Sequence, residues 1–111
     1  MSVQHRELAA GRWREFSLME QLANVGSEVE RALNWRRKNN SEYSRMAFER
    51  ALELLALTID DPRHRRRLHE LTRLREALLD YFLGSNQFCS TEASWRRYFY
   101  GYGYAAALKR L

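Results

Sequence analysis

Residues 17–33 read SLMEQLANVGSEVERAL, and this stretch decides the fold class. Ser17 and Glu20 have the spacing of a capping box, in which each side chain satisfies a backbone N–H that the start of a helix leaves unpaired. Apolar residues then recur at steps of three and four, as they do on one face of a helix. These residues are Leu18, Leu22, Val25, Val29 and Ala32. The pattern predicts a first helix that begins beside Ser17 and ends near Lys38.

The same periodicity predicts a second helix over residues 42–59, after a turn formed by residues 39–41. A helix rather than a strand is indicated because the apolar positions again follow a period of three to four residues. Its predicted inward side chains are Met46, Ala47, Ala51, Leu54, Leu55 and Ile59.

A third helix is predicted to start directly after the second, over residues 62–83. Asp61 is a good capping residue and Pro62 suits the first helical position, so the two together mark a helix start. Gly84 marks its end. The predicted inward side chains are Leu68, Leu71, Leu74, Leu78 and Phe82.

A fourth helix is predicted after the start signal Ser90-Thr91-Glu92, with Trp95, Phe99, Tyr102 and Ala106 on its inner face. Short connections make neighbouring helices antiparallel, so the predicted fold class is all-α, a four-helix up-down bundle in one domain over residues 1–111. A short extra N-terminal helix over residues 3–10, closed by Gly11, is a further expectation.

Composition narrows the class of protein. The chain is 45% hydrophobic and 30% charged with a single proline, which is typical of an ordinary globular domain. Cys89 is the only cysteine, so no disulfide can form within the chain, and no apolar stretch approaches the roughly 20 residues that cross a bilayer. We therefore expect a cytoplasmic protein that is neither secreted nor bound to a membrane.

No motif indicates a conventional hydrolase or kinase. His64 and His69 are five residues apart, a spacing that does not align two metal ligands on one helical face. The sequence also lacks a glycine-rich phosphate loop and a recognisable Ser-His-Asp order. We expect no metal, no cofactor and no catalytic residues.

A basic cluster lies at the start of the third helix and consists of Arg63, Arg65, Arg66, Arg67 and His69. Arginine side chains and the N-terminus of a helix both suit phosphate, so one interpretation is an anion or RNA site. The alternative is a solvated turn rich in arginine. The net charge of +5 has two readings as well, an anionic partner or a genome biased towards arginine.

Residues 95–104, WRRYFYGYGY, hold six of the fourteen aromatic residues. They cannot all face one core, because Tyr100 and Tyr104 point away from the predicted inner face. Exposed tyrosines beside glycines suit a protein interface. The rival uses are base stacking next to Arg96 and Arg97, which would bind single-stranded RNA, and a crowded end of the core. The predicted interface residues are Trp95, Tyr98, Tyr100 and Tyr104.

The whole chain resembles a small uncharacterised bacterial helical family, most clearly in three segments: residues 21–29, QLANVGSEV, residues 48–55, FERALELL, and residues 95–99, WRRYF. Members of that family tend to be encoded beside minimal nucleotidyltransferases. The resemblance implies a helical partner protein of the toxin–antitoxin kind.

More distantly, residues 73–82, RLREALLDYF, resemble the HEPN domains. That resemblance implies an RNase whose arginine and histidine lie four to six residues apart. Here Asp80 stands five residues after Arg75 where the family has histidine, and an aspartate repels phosphate and is a poor proton donor at neutral pH. Arg63 and His69 have the spacing but occur earlier in the chain.

The leading hypothesis is a non-catalytic helical module that self-associates or docks a small protein, such as a minimal nucleotidyltransferase, through its fourth helix. The alternative is a HEPN-like RNase or an RNA-binding protein that uses residues 63–69.

Overall fold

The helices of the bundle are built from residues 11–109, which are the residues that the computed structural model describes. The regular elements of this part of the chain are all helical, which confirms the all-α prediction. The predicted extra helix over residues 3–10 lies outside the described residues. The elements are a 3-10 helix at Arg12–Glu15, α1 at Leu18–Arg37, α2 at Ser41–Ile59, a 3-10 helix at Pro62–Arg67, α3 at Leu68–Leu83 and α4 at Glu92–Lys109.

The helix starts follow local capping chemistry. The Ser17 hydroxyl accepts a hydrogen bond from the Glu20 backbone N–H at 3.2 Å, and the Glu20 carboxylate accepts one from the Ser17 N–H at 2.9 Å. This confirms the predicted capping box of α1. Before α4, Thr91 and Ser94 exchange the same pair of bonds at 3.0 and 2.8 Å, with a serine hydroxyl in place of the usual carboxylate.

Contacts between the helices give an up-down arrangement. Glu28 of α1 pairs with Arg50 of α2 at 3.3 Å, while the carbonyl of Ala32 accepts a hydrogen bond from Ser44 at 2.8 Å. Residues later in α1 therefore meet residues earlier in α2, so the two helices are antiparallel. α1 packs closely against α2 and α4, α2 packs against α3, and α3 and α4 stand further apart.

A glycine sets the distance between α1 and α4. A Cβ atom placed on Gly26 would lie 2.8 Å from both Cβ and Cγ of Phe99. These atoms are at the root of the Phe99 side chain, so they cannot yield unless α4 itself moves. Gly26 therefore permits a close approach that no larger residue allows.

The core fills the space between all four helices and the first 3-10 helix. Its largest fully buried side chains include Phe48, Leu22, Leu33, Leu55, Leu71 and Leu78. The predicted inner face of α4 is also buried at Trp95, Phe99 and Ala106. In residues 11–109, no helix combines the length and the apolar character needed to cross a membrane.

Two details of the predicted helices are wrong. The third helix is not continuous from Pro62, because Pro62–Arg67 is a 3-10 helix with a kink at His64, and α3 starts at Leu68. The kink rotates the following residues, which leaves Leu68 43% exposed. Met46 is likewise 43% exposed, because the buried face of α2 is centred on Ala47 and Ala51 instead.

Candidate functional site

The outward side of α4 is apolar although it faces solvent. Tyr100 is 74% exposed and Tyr104 is 57% exposed, and their rings stack with centroids 6.4 Å apart and planes 15° from parallel. Gly101, Gly103 and Leu108 are exposed beside them. We call these five residues the α4 outer face. The eleven residues from 98 to 108 contain no charged side chain, in a chain of which 30% is charged.

Within residues 11–109, the two glycines of the α4 outer face have no packing role. A Cβ atom built on Gly101 or Gly103 would meet no other atom of this part of the chain within 4 Å, in contrast to Gly26. A glycine inside a helix costs about 1 kcal/mol relative to alanine. Contacts among the described residues do not offset this cost.

The other two predicted interface residues lie further in. Trp95 is 5% exposed and stacks on Phe99 with ring centroids 6.2 Å apart, so it belongs to the core. Tyr98 is partly buried between Trp95 and Tyr102, and this burial raises the pKa of its phenol. Of the four predicted residues, Tyr100 and Tyr104 present their rings to solvent.

The cations near the α4 aromatics are not equally available. Arg96 bonds the carboxylate of Glu30 at 3.0 Å and the side-chain oxygen of Asn34 at 3.3 Å, which ties α4 to α1. Arg97 is exposed and has no ion pair within residues 11–109. A stacking site for RNA would therefore have one free arginine here instead of the two considered from sequence.

The basic residues 63–69 do not form one cluster. Arg63 donates to both oxygens of Asp61, the shortest bond being 2.6 Å, and to the carbonyl of Phe16 at 2.8 Å. Arg67 pairs with Glu70 at 2.7 Å. Arg65, Arg66 and His69 are exposed, and within the described part of the chain they form no ion pair. Arg63 therefore has a structural role and is not free to act together with His69.

A buried polar cluster, which sequence reasoning missed, surrounds Asp61. Gln21 of α1 donates its amide to the Trp13 carbonyl at 3.0 Å and to Asp61 at 3.3 Å, so its remaining oxygen accepts a hydrogen bond from His64 Nε2 at 2.9 Å. The Trp13 indole donates to the Thr58 hydroxyl at 3.2 Å. The five residues join the first 3-10 helix, α1, the end of α2 and the second 3-10 helix.

The charges of this cluster are fixed by its surroundings. Hydrogen bonds from Arg63 hold the pKa of Asp61 well below its usual range, although burial opposes this shift. Removal from water lowers the pKa of His64, against the attraction of Asp61. The site is thus a neutral histidine beside an ionised aspartate. The capping role of Asp61 could be predicted from sequence, but its partner Gln21 is 40 residues away and carries no local signal.

A groove of about 550 Å³ runs between α3 and α4, where the two helices stand apart. Its aromatic wall is formed by Phe88, Trp95 and Tyr98, and two basic residues of α3, His69 and Arg73, lie along it. A second groove of about 530 Å³, between α1 and α4, borders the α4 outer face at Tyr100 and Gly103.

The loop beside the first groove is held by Asp80. Its carboxylate accepts hydrogen bonds from the backbone N–H groups of Gln87 at 2.8 Å and Phe88 at 3.0 Å. The Asn86 side chain bridges the backbone N–H and carbonyl of Ser90 at 2.9 and 3.0 Å. Asp80, the residue that departs from the HEPN pattern, thus has a structural task in this protein.

Within residues 11–109 no group of three or more His, Cys, Asp or Glu side chains could hold a metal ion. No protein-family model matches the chain, and no curated protein and no solved structure shows significant similarity to it. The two resemblances drawn from the sequence therefore stay predictions.

Proposed function

We propose that the protein is a non-catalytic helical module that forms a homodimer through the α4 outer face. The observation that carries the proposal is the open space over Gly101 and Gly103. Both glycines weaken the helix, and no neighbour among the described residues needs the room that they leave. A second helix that packs closely on this face would need the room that the two glycines leave.

A second copy of the chain suits this face better than another partner. Bulky rings at Tyr100 and Tyr104 lie next to the small residues Gly101 and Gly103, so the face can receive its own side chains across a two-fold axis. Each copy carries a net charge of +5, which makes two copies repel. A contact between them is therefore favoured where the surface has no charge, as it is here from residue 98 to residue 108.

A minimal nucleotidyltransferase, the partner implied by the family resemblance, is the rival occupant of the face. The dimer is preferred because the face offers no charged or hydrogen-bonding group beyond two phenols for a different protein to recognise. A cytoplasmic location is part of the proposal, since Cys89 is exposed and unpaired.

The proposal is tested by light scattering and sedimentation on the purified full chain over a range of concentrations. We expect a dimer for the wild type and a monomer for the double variant Tyr100→Ser/Tyr104→Ser. The matched control is Tyr43→Ser, because Tyr43 is 48% exposed but lies on α2. The control should dimerise as the wild type does.

Two results would overturn the proposal. One is a wild type that stays monomeric at the highest concentration reached. This holds also if the monomer forms a stoichiometric complex with a minimal nucleotidyltransferase, because the rival partner would then occupy the face. The other is a double variant that dimerises as well as the Tyr43→Ser control, since the contact would then lie elsewhere. Circular dichroism checks that all variants keep the helical fold.

A further inference from the structure

The groove between α3 and α4 combines a flat apolar surface with positive charge. Phe88 is 47% exposed although it is a large apolar residue. Tyr98 and Trp95 line the same aromatic side of the groove. Leu74 and Ala77 of α3 complete the apolar lining. A volume of about 550 Å³ falls within the range of small-molecule sites.

The basic side chains of the groove lie on α3. His69 and Arg73 are four residues apart, so they share one face of the helix. The Arg73 guanidinium lies over the Phe88 ring, 5.6 Å from its centroid, and within residues 11–109 it has no carboxylate partner. The acidic residue of the lining, Glu70, is already paired with Arg67 at 2.7 Å. An anion that enters the groove therefore meets an unneutralised arginine.

The groove is formed before any ligand arrives. The hydrogen bonds from the Gln87 and Phe88 backbone N–H groups to Asp80 hold the loop that carries the Phe88 ring, which lies below Arg73. The Asn86 bridge to Ser90 closes the same loop. Little conformational freedom is then lost on binding, which favours affinity.

We propose that this groove binds a nucleoside monophosphate, with the base against Phe88 and Tyr98 and the phosphate beside Arg73 and His69. Aromatic side chains accept the flat face of any base, and the planar arginine head group matches the oxygens of a phosphate. A ligand that uses the whole groove needs both a flat ring and a phosphate. An apolar ligand would leave the charge of Arg73 without an anion, and inorganic phosphate would leave the aromatic side chains uncovered. The inference does not rest on the proposed dimer.

The test is calorimetric titration of the full chain with AMP, adenosine and ribose 5-phosphate. We expect AMP to bind at one site per chain and the two part-ligands to bind at least about tenfold more weakly, because each loses one set of contacts. Arg73→Gln should weaken AMP binding by at least about tenfold and leave the weak binding of adenosine unchanged. Phe88→Ala should weaken both AMP and adenosine.

The matched control is Arg75→Gln, because Arg75 is an exposed arginine of α3 that does not line the groove. It has the same net charge as Arg73→Gln and should bind AMP like the wild type. Absence of AMP binding, or equal weakening by the two arginine variants, would overturn the inference. The Tyr100→Ser/Tyr104→Ser variant should bind AMP normally, so a failure of the dimer and a failure of the nucleotide site can be told apart.

Discussion

Asp61 shows how one residue can have both a local and a distant task. Locally it caps the second 3-10 helix by accepting a hydrogen bond from the Arg63 N–H at 3.0 Å. At a distance it holds Gln21 and lies 3.5 Å from His64 Nε2, although only 2% of its surface is exposed. A buried carboxylate is tolerated only when it is paired and hydrogen-bonded, and Arg63 supplies that pairing.

The buried state of His64 predicts a pH dependence of stability. Its pKa lies below the ordinary value of 6.5, so the unfolded chain binds a proton more readily than the folded one. The stabilising contribution is complete above pH 6.5 and is lost as the pH falls through the folded pKa. We expect the free energy of unfolding in urea to fall between about pH 7 and about pH 5, by no more than about 1.4 kcal/mol per pH unit for this one proton.

The stabilising contribution of Asp61 has the same sign, but it is lost only as the pH falls below its ordinary pKa of 3.8, so it does not change between about pH 7 and about pH 5. His64→Gln should abolish the slope between about pH 7 and about pH 5. His69→Gln, which replaces an exposed histidine, should keep it. Equal slopes in the two variants would show that His64 is not the titrating group.

At the scale of the helix, glycines with different surroundings should respond differently to alanine. Gly26→Ala forces a methyl group to 2.8 Å from Phe99, and we expect a loss of about 1–3 kcal/mol in the free energy of unfolding. The added methyl groups of Gly101→Ala and Gly103→Ala meet no neighbour in the described part of the chain, so each variant should stabilise the monomer by at most about 1 kcal/mol through helix propensity.

The same two outer variants should weaken the dimer while they stabilise the monomer. Urea unfolding at low protein concentration measures the first effect, and sedimentation equilibrium measures the second. Alanine variants that dimerise as tightly as the wild type would mean that these glycines do not meet a second copy.

The prediction of helices from sequence succeeded where the signal is local. Ser17 and Glu20 cap α1 as expected, and the apolar period places Trp95 and Phe99 in the core. The prediction failed at the start of the third helix. The chain is kinked at His64, whose ring forms a hydrogen bond with Gln21, 43 residues away. A pattern read along the chain cannot reveal such a distant partner.

The candidate surfaces, too, were predicted only where they depend on a local pattern. The outward position of Tyr100 and Tyr104 follows from helical periodicity, which is a local property. The hydrogen bond from Arg63 to the Phe16 carbonyl and the groove beside Arg73 could not be predicted, since both depend on how separate elements meet in space.

For the whole molecule, charge and self-association lead to a prediction about salt. The proposed contact is uncharged, whereas each copy has a net charge of +5, so added salt screens a repulsion and no attraction. We expect the dimer dissociation constant to stay constant or to fall when NaCl rises from about 50 mM to about 500 mM. Sedimentation at both concentrations measures it, and a dimer that weakens with salt would indicate ion pairs across the interface instead.

The unequal spacing of the helices also accounts for the groove between α3 and α4. α1 packs closely against α2 and α4, whereas α3 packs mainly on α2 and meets α4 through the ring contact of Tyr81 with Trp95. Leu71 and Leu78 of α3 are fully buried, so α3 is held along its inner side while its side towards α4 borders the open groove. An entrance for a small molecule beside Arg73 is therefore part of the ordinary packing of the bundle, and no helix has to move aside to create it.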